Sequence, residues 1–446
     1  MTLEDDVLKR ITPNSALRKK ALATVSEVMA KIAGTARKLG IDVEPILVGS
    51  VAKDTALSVT DIDIFIMFPV TTSLEDLQKN GLKLGESVVK GERRYAQHPY
   101  THGEYKGFTL DIVPCYRVES PTQKMSAVDR TPFHTEYVKN NLREEQKREV
   151  RLLKQFLKGI GAYGAEIEIE GFSGYLCEVL VLRFGTFENV LASARRWHKG
   201  TFIKLNDATS PKFEDTLIAV DPVDPSRNAA AAVSTEKMSR VIHAADEYLK
   251  KRKVEFFFPN EPAPLSLSRI TGTLDERGTE LMGLSIEKPD VVDDVLFSQV
   301  KKCEKAVAQL CESYGFRVCA SAYIIEGKRI LFLFEFEIFR LPKLAVHIGP
   351  PLWHPNSQDF ISTWENKDKF AGPYILMDRW AVDTRREFTT APELVRAKLG
   401  QAGLGKNISE KIARGKFKVL SRKELVKSGN VKFLSRFFDK RFPWEH

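Results

Sequence analysis

The fold of this chain is decided by Ile46-Leu-Val-Gly-Ser50, followed after ten residues by Asp61-Ile-Asp-Ile-Phe-Ile-Met-Phe68. The apolar start predicts a short buried strand, and the Gly-Ser pair predicts a turn into a brief helix ending near Ala56. Alternate side chains of a strand share a face, so Asp61 and Asp63 lie on the face opposite the three isoleucines. Their Cα atoms are about 6.5–7 Å apart, so their carboxylates can converge on a pair of cations. The turn adds backbone N–H groups and a serine hydroxyl, which suit a phosphate group.

A third acidic residue, Asp111, interrupts the apolar run Phe108-Thr-Leu-Asp-Ile-Val113, which predicts another strand ended by Pro114. Burial of an unpaired charge is costly, so Asp111 is expected to be paired, protonated or bound to a metal. If this strand neighbours the Asp61 strand, three carboxylates cluster, and such a cluster favours hard cations such as Mg²⁺. The alternatives are a salt bridge from Asp111 to an arginine, and a plain strand start at the solvent edge for the other two aspartates.

Length and composition indicate a globular protein of about three domains. The 446 residues are 43% hydrophobic and 28% charged. The sequence has no run of eighteen apolar residues, and its first twenty residues are rich in charge. We therefore expect neither a membrane span nor a signal peptide. The five cysteines form no CxxC pair, which predicts reduced core thiols in a cytoplasmic protein. The sequence does not decide between a monomer and a homodimer.

The net charge of +9 is unevenly distributed. Between Arg396 and His446 there are 14 lysine and arginine residues against 4 acidic residues, which leaves the rest of the chain close to neutral. A basic segment on a neutral body is typical of a protein that binds a polyanion such as nucleic acid. The alternative is a solvated helix face.

Periodicity and capping residues predict the remaining elements. The first part of the chain is expected to contain helices over 16–39, 73–89, 144–159, 174–194 and 234–252, strands over 93–98 and 100–105, and loops over 126–134 and 221–228. Beyond the proline-rich link at 258–264 the order is βαββαβ, with strands over 281–286, 318–325, 330–339 and 374–382 and helices over 291–315 and 358–366. This order predicts an RRM-like sheet with helices on one face, followed by a basic helical segment from Ala391.

The Gly-Ser turn, the paired-aspartate strand and the third aspartate together indicate nucleotidyl transfer at two metal ions. Ser50 and Lys53 are near enough in sequence to reach a phosphate, and Lys154 is a candidate to join them across a cleft. Two prolines stiffen the loop Asp221-Pro-Val-Asp-Pro-Ser-Arg227 and fix the backbone that presents Arg227.

These residues resemble the polymerase-beta nucleotidyltransferase superfamily, and within it the archaeal-type (class I) CCA-adding enzymes, which are tRNA nucleotidyltransferases. The resemblance is dense from about residue 45 to 235. Besides the Gly-Ser turn and the three aspartates, the matching stretches are Tyr95-Ala-Gln-His-Pro-Tyr100, Asp111-Ile-Val-Pro-Cys-Tyr116, Ser126-Ala-Val-Asp-Arg-Thr-Pro-Phe-His134, Arg151-Leu-Leu-Lys154, Tyr163-Gly-Ala-Glu166, Gly171-Phe-Ser-Gly-Tyr-Leu-Cys-Glu178, Ala194-Arg-Arg-Trp197 and Asp221-Pro-Val-Asp224.

The resemblance implies an enzyme that rebuilds the 3′ CCA end of tRNA from CTP and ATP without a nucleic-acid template. It implies an α+β fold with a polymerase-beta-like nucleotidyltransferase head (1–143), a helical neck (144–257), an RRM-like α/β body (258–390) and a basic helical tail (391–446). The tail is expected to contact the acceptor arm and T arm of the tRNA.

The resemblance also implies roles for single residues. Asp61 and Asp63 are expected to bind two Mg²⁺ ions, and Asp111 to hold one of them and help deprotonate the primer 3′-OH. The incoming nucleotide is expected at Gly49, Ser50, Lys53, Lys154 and Tyr163 for the triphosphate, at Thr131 and His134 for the ribose and phosphates, and at Arg227 for the base. Two positions depart from relatives: many of them have arginine in place of Lys53, and some have glutamate in place of Asp61.

Two other functions remain open at this point. One is a different nucleotidyltransferase, such as a poly(A) polymerase or an oligoadenylate synthetase. The other is a catalytically silent RNA-binding protein, against which the intact set of three aspartates argues.

Overall fold

The computed structural model of the chain describes residues 2–57, 61–95, 98–206, 209–427 and 429–446, and of Tyr95 only the backbone. Ala96 and Gln97 of the motif that begins at Tyr95 therefore lie outside the described residues. The chain divides into two compact units, Met1–Pro262 with Arg441–His446, and Ala263–Lys440. None of the helices among the described residues is long and apolar enough to cross a membrane.

The first unit contains nine helices and seven strands in its described residues. In chain order they are α1 (Leu3–Ile11), α2 (Ser15–Leu39), β1 (Glu44–Val48), α3 (Gly49–Ala52), β2 (Asp61–Pro69), α4 (Leu74–Glu86), β3 (Glu92–Tyr95), β4 (Pro99–Tyr105), β5 (Phe108–Arg117), α5 (Thr131–Asn141), α6 (Glu144–Gly159), α7 (Gly174–Phe184), α8 (Phe187–Ala194), β6 (Thr201–Ile203), β7 (Leu217–Ala219) and α9 (Thr235–Lys250).

A five-stranded sheet in the order β1-β2-β5-β4-β3 carries the predicted aspartates. Strands β2 and β5 are parallel and the other pairs are antiparallel. Helices α2 and α4 pack on one face, where Ile62, Ile64 and Ile66 are fully buried together with apolar residues of both helices. The predicted alternation along β2 is thereby confirmed, since Asp61 and Asp63 lie on the other face.

The strand that holds Asp111 is longer than predicted and continues through Pro114 to Arg117. A proline has no N–H group to donate to a neighbouring strand, so within a sheet it needs one side on which no strand is paired. Strand β4 pairs with β5 only as far as Ile112, so Pro114 lies where that side of β5 is open, while its other side pairs with Ile66 of β2.

Two further predictions for this unit are wrong. The segment 126–134 is not a loop: Ala127–Arg130 forms a 3₁₀ turn and α5 begins at Thr131. The buried Asp129 stabilises this turn by accepting hydrogen bonds from the backbone N–H groups of Tyr116 and Ser126. The single helix predicted over 174–194 is two helices, because the chain turns at Gly185, with φ 90°, and Thr186 caps α8.

Helices α6 to α9 share one apolar core with α1. Phe156 on α6 is fully buried near its centre, with its ring centroid 5.5 Å from those of Phe187 and Tyr248. Of the predicted site residues, Lys154 lies on α6.

The second unit contains seven helices and seven strands in its described residues. They are α10 (Leu267–Arg277), β8 (Glu280–Glu287), α11 (Asp293–Ser313), β9 (Val318–Glu326), β10 (Arg329–Phe336), β11 (Leu344–Pro351), α12 (Ser357–Glu365), β12 (Ala371–Leu376), β13 (Arg379–Arg385), α13 (Ala391–Lys398), α14 (Lys406–Ala413), β14 (Phe417–Ser421), α15 (Arg422–Lys427) and α16 (Val431–Phe438).

Its four-stranded sheet has the order β14-β8-β10-β9, the order of a ferredoxin-like βαββαβ fold. The predicted last strand is wrong, however. Residues 371–385 form the hairpin β12-β13, which joins β11 in a separate three-stranded sheet. The fourth strand is instead β14, which pairs with β8 and lies inside the segment that was predicted to be wholly helical. Helix α14 and strand β14 complete the fold, because β14 pairs with the free edge of β8.

The prediction of helices on only one face of this sheet is also wrong. Helices α11, α13 and α14 cover one face, where Leu284 and Phe332 are fully buried. On the other face Leu281 and Leu333 are buried against α10, α15 and α16. The face that an RRM offers to RNA is therefore covered in this protein.

The cysteines are free, as predicted, but not all of them are in a core. Cys115, Cys177, Cys303 and Cys311 are buried. Cys319 on β9 is exposed.

Candidate active site

The turn after β1 lies directly against the aspartate strand. Val48 is the register partner of Asp63, so Gly49, the next residue, lies beside the Asp63 side chain. Gly49 has φ 72°, and a Cβ atom built on it would lie 2.0 Å from Oδ2 of Asp63. Only glycine fits this position, because a side chain would be strained in the left-handed region and would also overlap the carboxylate.

The three aspartates are brought together on one face of the sheet, as the sequence predicts. Asp63 and Asp111 are register partners on the parallel strands β2 and β5, and Asp61 precedes Asp63 by two residues on the same face. Burial, together with the negative charges of Asp111 and Asp61, raises the pKa of Asp63 to about 7. The cluster therefore carries negative charge that nearby cations compensate only in part.

This raised pKa gives a prediction for the protein without divalent ions. Asp63 ionises near pH 7 in the folded state and near 3.8 as a free side chain, so the stability it contributes is full below pH 3.8 and is lost as the pH rises through 7. Asp63→Asn cannot ionise. We expect the variant to match the wild type near pH 4 and to be more stable by about 1–3 kcal/mol at pH 8. Thermal unfolding in a chelating buffer measures this, and a difference that does not change with pH would contradict it.

One partner of Asp111 was not predicted. His102 on β4 is directly opposite Asp111, and its Nδ1 lies 2.5 Å from Oδ1 of that residue. No group of three histidine, cysteine or acidic side chains among the described residues is arranged to hold a metal ion as it stands.

A buried ionic cluster adjoins the aspartates. Lys53 follows the turn and Lys154 lies on α6; both are almost fully buried, and both contact Glu178 on α7, whose side chain is 0% exposed. One carboxylate oxygen accepts from Lys53 at 2.5 Å, and the other accepts from Thr55 at 2.6 Å and from Lys154 at 3.2 Å. Burial would raise the pKa of Glu178, but the two lysines outweigh it and lower the pKa. Two cations against one carboxylate leave an excess positive charge beside the aspartates.

A nearly buried arginine on α6 holds the turn that presents Lys53. Arg151 donates to the carbonyl oxygens of Asp54 and Ala56 at 2.7 and 2.9 Å, and to the Asp54 carboxylate at 2.8 Å. Asp54 has φ 56°, a conformation that costs a non-glycine residue free energy and is maintained here by these bonds.

The remaining predicted residues lie around Tyr175 and Asp221. His134 on α5 stacks on the Tyr175 ring with centroids 4.1 Å apart, and it contacts Asp221. Arg227 also contacts Asp221, and the cationic groups of Arg227 and Lys53 lie 6.0 and 5.8 Å from the centre of the Tyr175 ring. A chain of contacts thus links the triphosphate candidates to the base-reading candidate.

Thr131 and Tyr163 flank this arrangement. Thr131 is the first residue of α5, one turn before His134. Tyr163 is mostly buried, and its hydroxyl lies beside Gly174 at the start of α7. Burial raises the pKa of Tyr163, and the charges of Glu178 and Asp61 act in the same direction.

Sequence reasoning missed His102, Tyr175, Glu178 and Asp221 as site residues. Glu178 carries the same signal that identified Asp111, an acidic residue inside an apolar run, and could have been found in that way. His102 could be identified only from strand register, and Tyr175 and Asp221 only from tertiary contacts.

Three family models match the chain. They are "Nucleotidyltransferase domain" over residues 29–134, "tRNA nucleotidyltransferase, second domain" over 148–258 and "CCA-adding enzyme, C-terminal domain" over 277–422. The third match spans both sheets of the second unit and reaches the start of α15.

Curated relatives match almost the whole chain. The CCA-adding enzyme of Thermoplasma volcanium is 39% identical, and the match covers 97% of this chain and 96% of the relative. The CCA-adding enzyme of Methanosarcina mazei is 37% identical and the match covers 94% of both chains. Among solved structures, the Cid1 poly(U) polymerase superposes with a TM-score of 0.44 at 16% identity, over 57% of this chain and 96% of that one. The two relatives decide the assignment: the chain belongs to the archaeal CCA-adding enzymes, a family of tRNA nucleotidyltransferases.

Proposed function

We propose that the protein rebuilds the 3′-terminal CCA of tRNA from CTP and ATP without a nucleic-acid template. Each step joins the α-phosphate of the nucleotide to the 3′-OH of the RNA and releases pyrophosphate. The observation that carries the proposal is the pairing of Asp63 with Asp111 beneath the Gly49 turn, in a chain 37% identical to a CCA-adding enzyme over 94% of its length.

The acidic cluster fits divalent cations in its donor chemistry. It offers carboxylate oxygens only, which Mg²⁺ prefers, and three carboxylates on one face of the sheet repel one another unless a cation lies between them. Asp61, Asp63 and Asp111 would hold two ions once Asp111 exchanges its bond to His102 for a metal. Two bound ions would supply charge neutralisation at the triphosphate and a lowered pKa for the attacking hydroxyl.

The chain's own residues would bind and orient the nucleotide. Lys53 and Lys154 lie beside the aspartates with an excess positive charge, which suits a triphosphate. Ser50 and Tyr163 would add hydroxyl donors, and Thr131 and His134 would border the ribose. Arg227 is one-third exposed on a stiff loop, so its remaining N–H groups are available to a base edge. Positioning and charge compensation would then carry the rate.

Product length on a defined RNA tests this proposal and its alternatives together. A tRNA transcript that lacks its CCA is incubated with the purified protein, Mg²⁺, labelled CTP and labelled ATP. We expect two cytidylates and then one adenylate, and no addition after A76. Continued adenylate addition would favour a poly(A) polymerase, and no addition to any RNA would favour a silent RNA-binding protein.

The basic segment after Arg396 is proposed to bind the acceptor arm and T arm of the tRNA. Five cationic side chains line a cavity of about 470 Å³ in the second unit together with Glu280; they are Arg340, Arg396, Arg422, Lys423 and Lys427. A cavity with this lining suits a phosphate of an RNA backbone.

Neutralising exposed charges in this segment tests the contact. We expect replacement of Lys406, Arg414 and Lys423 by glutamine to weaken tRNA binding and to reduce the salt slope of log K by roughly 0.7–0.9 per lost phosphate contact. Titrations of tRNA at several salt concentrations measure the slope. The matched control replaces three exposed lysines elsewhere in the second unit, Lys328, Lys343 and Lys367. Equal slopes in both triple variants would count against the contact.

A further inference from the structure

An aspartate with no role assigned so far lies at the centre of the nucleotide-binding half of the site. The Asp221 side chain follows β7 and is 0% exposed. Its Oδ2 accepts from Nε2 of His134 and from Nη1 of Arg227, both at 2.8 Å. Its Oδ1 accepts from the Tyr175 hydroxyl at 2.8 Å and from the backbone N–H of Val223 at 3.0 Å. Both carboxylate oxygens are therefore fully used, and three separate segments of the chain meet on them.

The same loop is closed by its backbone. The N–H of Asp221 donates to the carbonyl oxygen of Arg227, and the N–H of Arg227 donates to that of Asp224. The backbone hydrogen bonds thus fix the position of the Arg227 Cα atom, and the Asp221 carboxylate fixes the position of the guanidinium. A guanidinium held at one nitrogen keeps its remaining donors in a fixed plane, which is what reading a base edge requires.

The carboxylate also fixes the proton on His134. Because a carboxylate only accepts, the ring proton must be on Nε2. Burial lowers the pKa of His134, so the neutral ring leaves Nδ1 as an acceptor. An acceptor at this position suits a hydroxyl of the ribose, whereas it would repel a phosphate oxygen.

We propose that Asp221 is a positioning residue for nucleotide selection: it holds Arg227 and His134 in the single arrangement that accepts C or A on a correctly placed ribose. The proposal rests on the proposed function, since it assumes that this half of the site binds the incoming nucleotide. Asp221 does not contact the nucleotide itself in this account, because its carboxylate is buried behind the residues it holds.

Asp221→Asn tests the proposal with little change of shape. The amide keeps only one acceptor oxygen, so in either orientation it cannot accept from all four donors that the carboxylate serves. We expect the ratio of kcat/KM for CTP over UTP, on a tRNA that ends before C74, to fall about 10- to 100-fold, as for the loss of a hydrogen bond to a charged group. The ratio of ATP over GTP on a tRNA ending in CC should fall in the same way. An unchanged ratio would overturn the proposal.

Asp224→Asn is the matched control. Asp224 lies in the same loop, its side chain is 3% exposed, and it accepts from Lys124 and Arg130, but its side chain contacts neither Arg227 nor His134. A general disturbance of the loop would lower activity in both variants and leave selection unchanged. Loss of selection in Asp221→Asn alone supports positioning, and equal loss in both overturns it.

A measurement on the wild-type protein does not depend on how the Asp221 and Asp224 variants fold. ¹⁵N spectra of histidine-labelled protein, with His134 assigned by comparison with His134→Gln, should show a neutral ring protonated on Nε2. A ring protonated on Nδ1 would overturn the proposal. If the wild type adds neither CTP nor ATP to tRNA, the proposed function itself fails; if it adds them and Asp221→Asn selects as well as the wild type, only the role of Asp221 fails.

Discussion

Asp63→Ala is expected to abolish nucleotide incorporation, with a loss of about 10³-fold or more. Asp63 is the member of the acidic cluster that lies between the other two: it is the register partner of Asp111 and shares a face with Asp61. Removing it leaves two carboxylates that cannot together hold a pair of ions. Single-turnover addition of CTP to a truncated tRNA measures the loss.

Affinity for tRNA should be nearly unchanged in this variant, because the RNA is expected to be held by basic residues of the second unit. Asp42→Ala is a suitable control, since Asp42 is an exposed aspartate of the same unit that pairs with Arg117 at 3.3 Å. Unaltered incorporation by Asp63→Ala would falsify the metal assignment, and a parallel loss of tRNA binding would point to general unfolding.

Gly49→Ala is expected to have the second largest effect, a loss of roughly 10²-fold or more in kcat/KM for nucleotide. Its Cβ atom would lie 2.0 Å from Oδ2 of Asp63, so either the turn or the carboxylate must move. A misplacement of about 1 Å in a catalytic constellation is enough for a loss of this size. Steady-state kinetics with CTP and ATP measure it.

Gly40→Ala is a control that separates the overlap with Asp63 from the backbone strain of alanine at positive φ. Gly40 ends α2 with φ 66°, close to the 72° of Gly49, but a Cβ atom there would have nothing within 4 Å. Both substitutions force alanine into the left-handed region, at a cost of about 1–2 kcal/mol. We therefore expect both variants to lose stability, and only Gly49→Ala to lose activity. Equal activities would show that the turn does not need to lie against Asp63.

The local sequence pattern was enough to predict the two strands that carry Asp61, Asp63 and Asp111. The alternation of Asp61 and Asp63 with buried isoleucines, and the single charge in the Asp111 strand, both reflect side-chain direction in a strand, and this is a property of adjacent residues. The sheet then brings Asp111 beside Asp63 because β2 and β5 are parallel neighbours. The roles of these residues stay a prediction that only chemistry can test.

The errors lie where a non-local partner decides the outcome. The sequence predicts a strand over 374–382 and a helical segment over 417–421, and nothing local to either stretch says which of them will pair with β8. Strand β14 pairs with the edge of β8, so the fourth strand of this sheet comes from the basic segment. Similarly, two buried carboxylates accept hydrogen bonds from distant segments: Glu178 from residues 53–55 and from α6, and Asp221 from α5, from α7 and from its own loop. No spacing in the sequence predicts those contacts.

The central claim is that Asp61, Asp63 and Asp111 together hold a pair of divalent ions, and counting bound Mn²⁺ tests it most directly. Electron paramagnetic resonance in the presence of a non-hydrolysable ATP analogue should give about two ions per chain in the wild type. Asp111→Asn should lose at least one of them while its affinity for tRNA stays the same. A full complement of ions in Asp111→Asn, or none in the wild type, would contradict the claim.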